Sequence, residues 1–121
     1  MSLTLEIGAR AESAAVEWLR RKGFLIMDTN WRSGRYELDI VAQKGDTVHF
    51  VEVKCRRAGG LTTPEEAVTP SKAKSLMRAA NDYISIHGLD VDCSIDLIAA
   101  DMMPDGSFEI RYIPGAVQPR W

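Results

Sequence analysis

Tyr36-Glu37-Leu38-Asp39-Ile40-Val41-Ala42-Gln43, then Lys44-Gly45-Asp46, then Thr47-Val48-His49-Phe50-Val51-Glu52-Val53-Lys54 is the stretch that decides the fold. Two strand candidates, Tyr36–Gln43 and Asp46–Lys54, flank the turn chemistry of Lys44-Gly45-Asp46, which predicts a hairpin. Side chains alternate faces along a strand. Glu37 and Asp39 therefore share one face, and so do Glu52 and Lys54, with Val51 and Val53 opposite. His49 falls on the other side from Glu52 and reads as a structural residue. If Gly45-Asp46 is a two-residue loop, Lys44 faces Thr47, and counting outward brings Asp39 directly opposite Glu52. A loop at Lys44-Gly45 pairs Glu37 with Glu52 instead, and a three-residue loop without a bulge changes the pairing.

Facing carboxylates destabilise a sheet. They either raise a pKa or hold a cation. Clustered oxygen ligands suit Mg²⁺ or Mn²⁺. Lys54, next on that face, is placed to stabilise an anionic transition state or position a water. These are the parts of metal-assisted phosphodiester hydrolysis. The plain alternative is a solvated sheet face carrying surface charge. Glu37 supports the metal ligands or pairs with Arg35 or Lys54.

Outward from the hairpin, residues 4–22 predict a helix, rich in Ala and closed by Arg20, Arg21 and Lys22 before Gly23. Phe24–Met27 is a short strand. Residues 57–64, with Gly59, Gly60 and Pro64, read as a loop. Thr69-Pro70 opens a second helix running to about Ile86, with Thr69 as N-cap and His87-Gly88 as its end. Cys93–Ala100 and Ser107–Ile113 are strands, and the tail from Pro114 to Trp121 is irregular. The order αβββαββ predicts one α/β domain over residues 1–121, a mixed sheet flanked by helices. Trp18 and Trp31 belong to the core. Asp96, inside Ile95-Asp96-Leu97-Ile98, needs a buried hydrogen-bond partner.

The 121 residues are 45% hydrophobic and 26% charged, an ordinary globular composition. No apolar run approaches the ~20 residues of a membrane span, and Met1–Arg10 has no apolar signal-peptide core. A cytoplasmic protein without membrane contact is expected, with Cys55 and Cys93 as free thiols. A net charge of −2 argues against a general nucleic-acid coat protein. It leaves room for a local basic rim drawn from the clusters Arg20, Arg21 and Lys22; Arg32 and Arg35; Lys54, Arg56 and Arg57; and Lys72, Lys74 and Arg78. Arg56 and Arg57 either touch phosphates or lie in a solvated loop.

Taken together, Gly8, Ala11-Glu12, Ala15, Trp18-Leu19, Lys22-Gly23-Phe24, Asn30-Trp31-Arg32, Glu37-Leu38-Asp39-Ile40-Val41-Ala42, Phe50-Val51-Glu52-Val53-Lys54, Arg56, Pro64, Glu66-Ala67-Val68, Lys72 and Ile95-Asp96-Leu97 resemble the YraN-like bacterial protein family. The match is collinear from about residue 8 to 100. That family is similar to the PD-(D/E)XK nuclease superfamily, near Holliday-junction resolvases. The resemblance implies a restriction-endonuclease-like sheet, with Asp39 and Glu52 as metal ligands and Lys54 as a catalytic residue. It also implies that Glu12 approaches the site, that the Val53 carbonyl is a further ligand, and that Lys72 lies on the following helix beside it. Leu38 replaces the superfamily's proline, Tyr36 stands where the family has glycine, and Cys55 where threonine is frequent.

The expectation is an endonuclease-like protein acting on DNA, branched DNA included, with Mg²⁺ or Mn²⁺ as cofactor. Glu12, Asp39, Glu52 and Val53 hold the metal. Arg56, Arg57, Lys72 and Lys74 hold the nucleic acid. A symmetric junction requires two sites, hence a homodimer. The competing expectation is a non-catalytic module that keeps the fold and binds nucleic acid or protein. A weaker one is an adaptor working through a sheet edge or the C-terminal tail, where Trp121 suggests self-association.

Overall fold

The computed structural model describes residues 3–57 and 67–118. Helix α1 spans Leu3–Arg21. Ala11, Ala15 and Leu19 recur every fourth residue on one stripe and are fully buried, as an amphipathic helix on a sheet requires. Helix α2 spans Pro70–His87. The Thr69 hydroxyl accepts the Lys72 N–H at 3.2 Å, Pro70 takes the first turn, and Gly88 closes the last. Thr69 satisfies one of the otherwise unpaired N–H groups of that first turn.

Five strands form one sheet in the order β1-β2-β3-β4-β5. They are β1 Leu25–Ser33, β2 Tyr36–Lys44, β3 Thr47–Arg57, β4 Asp92–Met102 and β5 Phe108–Val117. The β3–β4 pair is parallel, since α2 lies between them in the chain, and the other pairs are antiparallel. A parallel pair needs such a crossover. The expected order of elements, and a mixed sheet between helices, is therefore what the chain adopts.

The helices cover opposite faces. On the α2 side, Leu76, Ala79 and Tyr83 pack with Leu38, Val41, Val48, Phe50, Ile95 and Leu97. On the α1 side, Ala15 and Leu19 pack with Phe24, Ile40, Ala42, Val51 and Ile98. Trp31 packs against the first cluster and Trp18 against the second, in keeping with their reading as core residues.

Three boundaries differ from the sequence expectation by more than two residues. The first strand continues from Leu25 to Ser33 instead of stopping at Met27; its polar middle breaks alternation because the register slips between Ile26 and Asp28 and Asn30 takes φ 51. β3 runs on through Arg57, so Arg56 and Arg57 lie in a strand. The rest of the loop expected over 57–64 lies outside the described residues. β5 continues to Val117, correcting the irregular tail. Pro114 is tolerated because β5 is an edge strand. Gly115 at φ 62 sits beside the register shift opposite Ile95 and Leu97. Trp121 lies outside the described residues.

Candidate functional site

The hairpin turn decides the site. Gly45 takes φ 60, a left-handed conformation that costs glycine little, and Lys44 pairs with Thr47. The loop is therefore Gly45-Asp46, the register that puts Asp39 across from Glu52. Regular pairing ends one step earlier, at Ile40 and Val51. Beyond it the Val53 N–H donates to Asp39 Oδ2 at 2.9 Å. A carboxylate thus takes a donor that a backbone carbonyl would otherwise accept.

Two strands lose alternation at this level. Leu38 packs on the α2 side and Ile40 on the α1 side, with only Asp39 between them. In β1, Thr29 pairs with Ile40 and Trp31 with Leu38, which sets Asn30 opposite Asp39. Asn30 is the one non-glycine residue at positive φ among the described residues, and asparagine tolerates that region better than most. The paired break leaves Asp39 within electrostatic reach of Glu12 on the α1 side and of Lys72 and Glu52 on the α2 side.

Burial and like charge dominate the electrostatics. The Glu52 side chain is 12% exposed, and its Oε2 is buried without a hydrogen-bond partner. Burial first, and then the Asp39 charge, push Glu52 up to about 7, while Lys72 opposes the rise. Asp39 is also raised, chiefly by burial; the Val53 N–H and Lys72 pull the other way. Glu12 is raised by burial and then by Asp39, against a hydrogen bond to Asn30. Lys72 Nζ stands 3.4 Å from Glu52 Oε1. Once both carboxyls ionise, the site carries more negative charge than Lys72 balances.

That imbalance fits a hard divalent cation. The donors are oxygens, the group it would bind includes a buried oxygen with no partner, and the charge deficit is positive. An extended residue presents its N–H and C=O on one edge, so Val53's carbonyl faces the gap that its N–H spans to Asp39. The full expected set is not assembled. Among the described residues, no three Asp, Glu, His or Cys side chains stand close enough to share an ion. Glu12 lines an open cleft of about 560 Å³ with Asn30 and Asp39. Asp39 and Glu52 form the nucleus, and Glu12 is an outlying member.

The other expected residues divide. Lys54 lies on Glu52's face, exposed, two residues along β3. Lys74 and Arg57 are exposed, and Lys72 is half exposed with its ammonium on Glu52. Arg56 is not a free phosphate hook. Its Nε donates to Asp101 at 2.9 Å, its side chain is 13% exposed, and its Nη2 is buried without a partner. Asp101 also accepts from Arg111 Nε at 3.1 Å. Glu37 pairs with Arg32 at 3.5 Å rather than with Arg35 or Lys54. His49 is structural as read: its Nδ1 lies 2.7 Å from Asp96 Oδ2, and Asp96 also accepts from Ser94, Tyr112 and the Gly115 N–H. Asn30 is the residue that sequence reasoning missed. The available signal was its identity, in the middle of a polar strand.

The model of the uncharacterised protein family UPF0102 matches residues 11–100. The chain belongs to that family. UPF0102 is the YraN family that the motifs resemble, and the matched span holds Glu12, Asp39, Glu52, Lys54 and Lys72. A UPF0102 protein of Bacteroides thetaiotaomicron is 41% identical over 114 residues, covering 94% of this chain and 93% of its own. One of Chlorobium chlorochromatii is 35% identical over 118 residues, covering 93% and 92%. One of Oleidesulfovibrio alaskensis is 45% identical over 92 residues, covering 75% of this chain and 46% of its own. No helix among the described residues of this UPF0102 chain is long and apolar enough to cross a membrane.

Proposed function

We propose that this UPF0102 protein is a metal-dependent nuclease that hydrolyses DNA phosphodiesters. The observation that carries the reading is the Asp39–Glu52 pair. Two half-buried carboxyls face each other across the hairpin with raised pKa values, and one Glu52 oxygen is buried with no donor. A stable fold gains nothing from that arrangement, and functional sites are where such perturbations gather. Its resemblance to PD-(D/E)XK nucleases supports the same assignment.

Asp39 and Glu52 would hold Mg²⁺ or Mn²⁺, with the Val53 carbonyl beside them and Glu12 closing from α1. The bound ion supplies charge neutralisation at the phosphate and a more acidic water. The Val53 N–H keeps the Asp39 carboxylate oriented. Lys54, exposed and free of any carboxylate partner among the described residues, would stabilise the charge that develops on the phosphate. Lys72 holds part of the negative charge in check. Lys74 and Arg57 position the backbone, and Arg56 braces the end of β3 through Asp101. A homodimer supplies two sites for symmetric branched DNA, in the cytoplasm where Cys55 and Cys93 stay reduced.

The test is cleavage of single-stranded, duplex and branched DNA in Mg²⁺, Mn²⁺ or EDTA. Turnover in metal should vanish in EDTA. Asp39→Asn and Lys54→Ala should each lower it by at least about 100-fold, as for loss of a charge-stabilising group. Unchanged turnover in both variants contradicts the mechanism.

Two observations favour a second reading. Lys72 already occupies Glu52, and no three-ligand group stands ready among the described residues. A non-catalytic nucleic-acid-binding module would show binding that weakens with salt and no turnover in any metal.

A further inference from the structure

A second functional surface lies at the tip of the β1–β2 hairpin. Tyr36 opens β2, three residues before Asp39 and so roughly 10 Å from it along the strand. Its ring carries two guanidiniums: Arg35 Cζ is 5.4 Å from the centroid and Arg78 Cζ is 5.6 Å from it. Arg35 Nη2 also donates to the Tyr36 hydroxyl at 3.3 Å. Two like charges on one ring repel each other, so the arrangement is held from outside. Asp82 does this. It pairs with Arg78 at 3.4 Å and accepts the Ser33 hydroxyl at 3.1 Å, which ties α2 to the hairpin tip. Arg35 has no carboxylate partner among the described residues.

Lys74 and Arg78 are four residues apart and share a helix face. Lys72 precedes them and reaches Glu52. In a chain with net charge −2, Arg35 and Arg78 on one ring, with Lys74 on the Arg78 face of α2, are a selective concentration of positive charge. Basic side chains alone bind the phosphates of any nucleic acid. A half-buried aromatic ring at the sheet margin, framed by guanidinium planes, does something more specific: both offer flat surfaces on which an unstacked base can lie. A base inside a duplex has both faces already stacked and cannot use them.

We propose that Tyr36, with Arg35 and Arg78, is a binding site for an unpaired nucleotide, taking its base on the ring and guanidinium planes and its phosphate on the two cations. The carboxylate site then receives a strand near a single-stranded segment or branch point, not the middle of a continuous duplex. This rests on the nuclease reading for the meaning of the neighbouring site, but the binding does not require metal or turnover.

The experiment is fluorescence anisotropy in EDTA, with labelled single-stranded, three-way-branched and fully duplex oligonucleotides. Wild type, Tyr36→Phe, Tyr36→Leu and the double variant Arg35→Ala/Arg78→Ala are compared. Tyr36→Phe keeps the ring and should bind within about twofold of wild type. Tyr36→Leu keeps apolar bulk and the hairpin but removes the π-face. It should lose about tenfold for single-stranded and branched probes, in the range of one base stack, and should leave duplex binding unchanged. The double arginine variant should weaken all probes and flatten the salt dependence. Equal losses by Tyr36→Leu on duplex and unpaired probes, no loss on either, or no binding of any probe by wild type each overturn the proposal. Failure of the nuclease reading looks different: Tyr36-dependent binding would remain and no metal would give cleavage.

Discussion

Glu52→Gln should make the metal-free protein more stable at pH 8, even though Glu52 is central to the proposed site. In the folded state burial and Asp39 hold the Glu52 carboxyl protonated up to about 7, against an ordinary 4.5. The unfolded chain releases that proton near the ordinary value. Between the two values the folded state binds more protons, so stability falls as pH rises through this window. At roughly 1.4 kcal/mol per pH unit, the loss approaches about 3 kcal/mol above pH 7. Asp39 titrates with Glu52 as a pair, which reduces the share a single substitution recovers to roughly 1.5–3 kcal/mol. Glutamine keeps the shape, cannot ionise, and can donate to Asp39. Urea unfolding followed by tryptophan fluorescence, in EDTA at pH 5 and pH 8, measures the effect. The variant should match wild type within about 0.5 kcal/mol at pH 5 and exceed it at pH 8. A variant that is less stable than wild type by the same amount at both values would refute the reasoning.

Other perturbations test the frame and the site. Asp96→Ala leaves His49, Tyr112 and the Gly115 N–H without their acceptor in a fully buried position, and should cost about 3–5 kcal/mol in urea unfolding. Thr69→Ala removes the α2 N-cap and should cost about 1 kcal/mol with no change in pH dependence. Saturating Mn²⁺ should raise the wild-type melting temperature at pH 8, because a ligand that binds only the folded state stabilises it by mass action; the same addition should leave Asp39→Asn unmoved in a thermal scan.

Much of this site is legible in the sequence because hairpin geometry is local. Lys44-Gly45-Asp46 offers few loops, and the one adopted sets the register of Asp39 against Glu52. The two helices are legible for the same reason, through the Ala11, Ala15 and Leu19 stripe and the Thr69-Pro70 cap. Features that depend on distant partners are not. Arg56 meets Asp101 across 45 positions, so its identity as a half-buried ion pair is invisible beside Arg57. The β1 strand hides because Asn30 and the slip after Ile26 interrupt its alternation. β5 runs past Pro114 because an edge strand can tolerate a missing N–H, a context that no local pattern reveals. The left-handed Asn30 opposite Asp39 also explains how one carboxylate reaches partners on both faces of the sheet, which strict alternation would forbid.

The central claim is that Asp39 and Glu52 form a divalent-cation site. Isothermal titration of Mn²⁺ into the wild-type protein at pH 8, with Asp39→Asn beside it and each repeated in the presence of a branched oligonucleotide, tests it most directly. The account predicts saturable binding to wild type that Asp39→Asn removes. Absence of Mn²⁺ binding by the wild type, both alone and with the oligonucleotide, would contradict it.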